Sequence, residues 1–127
     1  MRTIIIMRDL LKAMNDFEVK FEETYRISLN EAMILCTLKS AGEKLAASKL
    51  SKETNLSPSH TSKMLRILEE KQLIDRFLGV SDKRQMYFTL TPAGGARVAE
   101  LEDDKIEIPS VLKPVFKAPA GRPAKRK

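Results

Sequence analysis

The chain has 127 residues, 43% hydrophobic and 31% charged, enough for one compact domain and an end segment but marginal without a partner chain. No run approaches the ~20 apolar residues needed to span a bilayer, and one cysteine (Cys36) and one histidine (His60) exclude an internal disulfide and a Cys/His zinc cluster. The net charge of +6 is uneven, with six basic against seven acidic residues over 1–43, nine against five over 44–96, two against five over 97–112 and six against none over 113–127, a layout that suits nucleic acid.

The apolar run Thr3–Met7 is short and followed at once by Arg8 and Asp9, so it makes a poor leader, and a cytoplasmic, nucleoid-associated location is expected. From Ile4 to about Arg26, Met7, Leu10, Met14, Phe17 and Phe21 alternate at steps of three and four. That spacing predicts one apolar stripe along a long helix, to be buried against the rest of the chain or a second copy. Ser28-Leu29-Asn30-Glu31 has the form of a capping box, in which Ser28 accepts from the Glu31 amide and the Glu31 side chain reaches back. The helix it opens should stop at Ala41-Gly42. With Met33, Ile34, Leu35, Cys36 and Leu38 it reads as a central core helix, and Cys36 as a buried, inert thiol.

A third helix is expected over Ala46–Thr54, with Leu50 inward and Lys49 and Lys52 outward. Ser57-Pro58 restarts the chain as a cap followed by proline at the first helical position. The new helix turns Thr61, Met64, Leu65 and Leu68 inward and Ser59, His60, Lys63 and Arg66 outward. After Leu73 the period falls to two. Met86, Phe88 and Leu90 alternate with polar neighbours as a strand with one buried face, and Ile74–Leu78 is its expected hairpin partner. Thr91-Pro92 opens a short last helix ending before Pro109. Beyond it, Lys113–Lys127 is rich in proline and basic residues and is expected to be disordered. The fold class is mainly α with a small β-hairpin. The expected domains are an N-terminal helix over 1–27, a winged helix-turn-helix over 28–95, a short C-terminal helix over 96–112 and a basic tail over 113–127.

Leu50 through Arg76, LSKETNLSPSHTSKMLRILEEKQLIDR, resembles the DNA-binding core of the MarR (multiple antibiotic resistance regulator) family. The stretch Ser81-Asp82-Lys83-Arg84 followed by Leu90-Thr91-Pro92-Ala93-Gly94 is similar to that family's D-x-R … LT-x-x-G wing. The resemblance implies that Pro58–Lys71 lies in the major groove of duplex DNA. It also implies that Arg84 enters the minor groove with Asp82 holding its guanidinium, and that two copies form a homodimer on a pseudo-palindromic site. Many family members respond to small phenolic ligands or oxidants; the sequence names no effector for this chain. Gln72 stands where the family has glycine, so the turn there is expected to differ in shape. The basic tail lies outside the family pattern, and its Ala120-Gly121-Arg122-Pro123 resembles half of an AT-hook.

The candidate DNA contacts are therefore Ser59, His60, Ser62, Lys63 and Arg66 on the recognition helix, Asp82, Lys83 and Arg84 on the wing, Lys49 before it, and Arg122 in the tail. Lysine and arginine can donate to guanine O6 and N7 or to phosphate, and short polar side chains can reach either base or backbone. Minor-groove entry by Arg84 would exploit the concentrated negative potential over A·T-rich DNA. No catalytic site, cofactor or metal is expected: Glu22, Glu23, Glu69, Glu70, Asp103 and Asp104 come as adjacent pairs on helical surfaces, where neighbours diverge. Two other readings remain open, a winged helix that docks on protein and an architectural DNA binder acting through the tail.

Overall fold

A computed structural model describes residues 1–81, 84–104 and 106–116. It divides into two units, one of residues 1–26 and 106–127 and the other of residues 27–105.

In the first unit, α1 runs from Arg2 to Tyr25 and closes on Arg26, which takes the left-handed conformation at φ 62° while its amide donates to Glu22 O. The predicted stripe is buried only at its C-terminal end. Phe17, Phe21 and Tyr25 form a tilted ring stack with centroids 5.9 and 4.8 Å apart, and Phe21 and Tyr25 are buried. The N-terminal half is open: Ile4, Ile5, Ile6, Met7, Leu11 and Met14 are all exposed. A 3₁₀ turn, Ser110–Leu112, leads into α6, Lys113–Phe116. This corrects the expectation of disorder for residues 113–116; the rest of the basic tail lies outside the described residues.

The second unit carries α2 (Leu29–Ala41), β1 (Leu45–Ala46), α3 (Ala47–Thr54), α4 (Pro58–Glu70), β2 (Ile74–Leu78), β3 (Met86–Leu90) and α5 (Pro92–Asp103). Ser28 Oγ accepts from Glu31 N at 3.1 Å, and Gly42, at φ 68°, closes α2 as the sequence predicts. The Glu31 carboxylate does not serve as the second half of a capping box: it accepts from Lys71 Nζ at 2.8 Å. The hairpin has a third member, because Leu45 and Ala46 pair antiparallel with Phe88 and Tyr87, giving the order β1-β3-β2. A two-residue strand is too short to leave a periodic signal in sequence.

The core is built from Ile27, Ile34, Leu35, Leu50, Leu65, Leu68, Ile74 and Val98, all fully buried. Truncating one of them, such as Leu50, costs about 2–5 kcal/mol through lost transfer energy and the cavity left behind. Phe88 is buried at the centre of β3, whereas Met86 and Leu90 are half-buried, so the wing's inner face covers less than the alternation implies. Cys36 also departs from expectation. It lies on the exposed side of α2, and its thiol pKa is raised, first by partial desolvation and then by Glu102, against a smaller lowering by Lys39.

Candidate nucleic-acid interface

The segment joining α3 to α4 is fixed by local hydrogen bonds. Asn55 ends α3 in the left-handed conformation, φ 61°, and Ser51 Oγ donates to Leu56 O at 2.6 Å across the turn. Ser57 then caps α4, its Oγ accepting from His60 N at 3.1 Å, with Pro58 at the first helical position. With α4 docked through Thr61, Met64, Leu65 and Leu68, the opposite face is set by the 3.6-residue period. Ser59, His60, Ser62, Lys63 and Arg66 are all exposed there. This face is short, polar and cationic, and carries no acidic side chain between Pro58 and Ile67.

The end of α4 is held from three directions. Gln72 stands in the left-handed region at φ 62°; its amide donates to Glu69 O at 2.9 Å and the Leu73 amide to Leu68 O at 3.0 Å. These are the two bonds of a Schellman motif, so Gln72 adopts the conformation that glycine would supply at a cost of roughly 1 kcal/mol. Glutamine at 72 thus closes α4 from the left-handed region. Thr91 Oγ1 donates to Gln72 O at 2.8 Å and accepts from Gly94 N at 3.0 Å, tying the turn to the start of α5. Arg76 of β2 reaches back to Glu69, with Nε and Nη2 at 3.1 and 2.9 Å from one carboxylate oxygen, while its guanidinium lies over the Phe88 ring. Gly94 is required by close approach: a Cβ there would collide with the Leu73 carbonyl oxygen.

The wing loop is closed by Gly79 N donating to Gln85 O at 2.9 Å, and Arg84 is exposed within it. Asp82, Lys83 and Arg122 lie outside the described residues, as does the expected Asp82–Arg84 contact. On α3, Lys49 is partly committed to Glu53, 3.5 Å away, and Lys52 is exposed. Five of the ten candidates thus share one exposed helix face, Lys49 sits on the preceding helix and Arg84 on the wing. Sequence reading missed the partners that hold α4 in place: Glu31–Lys71, Glu69–Arg76 and Thr91–Gln72. Their separations of 40, 7 and 19 residues carry no local periodicity, although Lys71 and Arg76 were visible as charges flanking the helix end.

Among the described residues no group of histidine, cysteine and carboxylates could hold a metal ion, and no helix is long and apolar enough to cross a membrane. A groove of about 420 Å³ borders Cys36, Thr37, Leu45, Lys49 and Glu53.

No curated protein sequence matches the chain. Solved structures do. A MepR-like protein complexed with pseudoligands superposes with a TM-score of 0.79 at 21% identity, over 94% of this chain and 82% of that one. A mutant MarR from E. coli, complexed with operator DNA, gives 0.70 at 18% identity over 94% and 86%. The S. aureus MepR–DNA complex gives 0.61 at 21% identity over 89% and 86%. At these identities the likeness establishes the fold, a winged helix. The sequence itself matches the MarR family over residues 27–86, which hold α2, β1, α3, α4 and β2. Residues 27–86 thus form a MarR-family domain, within a winged-helix fold that the solved structures share.

Proposed function

We propose that this protein is a double-stranded DNA-binding transcription regulator that acts by occupying a specific operator as a homodimer. The observation that carries the reading is the exposed face of α4, where Ser59, His60, Ser62, Lys63 and Arg66 project with no acidic side chain among them, opposite the buried Thr61, Met64, Leu65 and Leu68. An α-helix fits the major groove, and Lys63 and Arg66 have the donors to read guanine O6 and N7, with the three smaller polar residues set for base edges or phosphates. Arg84, steadied by Asp82, enters the adjacent minor groove; Lys83, Lys49 and the tail with Arg122 meet phosphates. Two structural relatives, from S. aureus and E. coli, were solved bound to DNA, which favours this use of the fold over a protein-docking one.

The homodimer rests on α1. A row of large apolar side chains from Ile4 to Met14 is exposed in the single chain, and such a row on a soluble protein marks an association surface. Two copies related by a two-fold axis would place their α4 helices ~34–36 Å apart, one turn of duplex. Selection of bound sequences from a randomised duplex pool, run beside Arg84→Ala, tests the reading. Enrichment of a two-fold-symmetric site, with flanking A·T preference lost in the variant, is the expected result. Salt-sensitive retention without enrichment would replace it with an architectural binder, and no retention with a protein-docking module.

A further inference from the structure

The proposed interface uses the outer face of α4, but the angle of that face is set at the helix's other surfaces. Lys71, which closes α4, places Nζ 2.8 Å from Glu31 Oε1, and the Glu31 side chain is only 6% exposed. A carboxylate so far removed from water is costly to hold without a partner, unlike the ends of an ordinary surface pair. Three residues earlier, Ser28 accepts from the Glu31 amide and its hydroxyl lies 3.9 Å from Met64 Sδ, in the middle of α4. The N-terminal turn of α2 therefore grips α4 at two levels, Met64 and Lys71, about 10 Å apart along the helix axis. Two points of attachment on a rod fix its tilt as well as its position.

We propose that Glu31 is a positioning residue for base recognition: by pinning Lys71 it fixes the tilt at which the α4 face meets the base edges. The proposal rests on the DNA-binding reading above. It separates two properties that a simple stabilising pair would move together. Hydrogen bonds to base edges tolerate displacements of only about 0.5 Å. Phosphate contacts made by long lysine and arginine side chains carry no sequence information and adapt to small tilts. Releasing the Lys71 end should therefore erode discrimination while leaving general DNA affinity intact.

The test uses the full chain, Glu31→Gln, Lys71→Met and Lys71→Arg. Each is titrated against the duplex that the wild type enriches most from a random pool and against a scrambled duplex of equal composition, with thermal midpoints measured alongside. Glu31→Gln leaves every cation in place, so affinity for the scrambled duplex should stay within about twofold. Its ratio of specific to scrambled affinity should fall on the order of tenfold. Lys71→Met should lose the ratio similarly, and Lys71→Arg, which preserves the pair, should keep it. If either single variant fails to fold, the double variant Glu31→Leu with Lys71→Met, which leaves no buried charge unpaired, decides the matter. An unchanged ratio in the pair-breaking variants would overturn the inference. So would a parallel fall of both affinities with the thermal midpoint, which marks a purely structural pair. A wild-type ratio near one would overturn operator recognition by α4, and this inference with it.

Discussion

Two backbone positions beside α4 show how single residues constrain this fold in opposite ways. Gln72 holds a left-handed conformation, φ 62°, that a Cβ disfavours, so Gln72→Gly should raise stability by about 1 kcal/mol in chemical denaturation. Gly94 has no room for a Cβ against the Leu73 carbonyl. Gly94→Ala should cost about 3 kcal/mol, near the upper end of overpacking effects, and should also loosen the Thr91 clip. The glycine missing at 72 was readable as a departure from the family pattern, but its consequence was not, because sequence does not show whether a turn changes or the residue is strained. Cys36 was misread for a related reason: an apolar neighbourhood along the chain does not say which side of a helix faces the core. Its thiol pKa lies above the ordinary value, mainly through partial desolvation. Alkylation by iodoacetamide should therefore reach half its maximal rate at a higher pH in the folded protein than in the unfolded chain. By linkage, the thiol is easier to ionise when unfolded, so its contribution to stability is complete below the unfolded pKa and is lost as pH rises through the alkaline range.

At the scale of elements, the strongest sequence signals were those with local chemistry. Ser57-Pro58, Ser28 with Glu31, Ala41-Gly42 and Thr91-Pro92 each mark a helix end by a bond made within four residues, and α2, α4 and α5 begin or stop where these predict. Strand Met86–Leu90 was legible from its period of two, and Ile74–Leu78 as its hairpin partner. Strand β1 was not, since its two residues exist as a strand only through pairing with Phe88 and Tyr87. The exposed α4 side chains followed from the apolar residues on the opposite face. Their proposed roles differ enough to be separated. Arg66→Ala or Lys63→Ala, if the side chain reads guanine, should weaken the selected site roughly ten- to hundredfold and relax preference at one base pair. If it meets only phosphate, affinity should fall uniformly and the log–log salt slope should drop by about 0.9. Lys52→Ala, exposed on α3 and outside the proposed base-reading face, provides the phosphate-type comparison.

The whole molecule is the scale at which sequence reading reaches least far, because assembly depends on surfaces that need a second chain. The heptad-like stripe of α1 was visible, and the structure buries Phe21 and Tyr25 while leaving Ile4 to Met14 largely open. Replacing Met7 and Met14 together with lysine should therefore shift sedimentation from dimer to monomer at micromolar concentration, while the far-ultraviolet circular dichroism keeps its helical form. Retained dimer would move the interface elsewhere. The decisive quantity for the account as a whole is the ratio of affinities for the selected duplex and a scrambled one, measured by fluorescence anisotropy at fixed, near-physiological salt. A sequence-reading regulator should show a ratio of about 10³ or more, typical of specific over non-specific binding. A ratio near one, with both affinities falling steeply as salt rises, would contradict operator recognition by α4 and leave only electrostatic attachment to DNA.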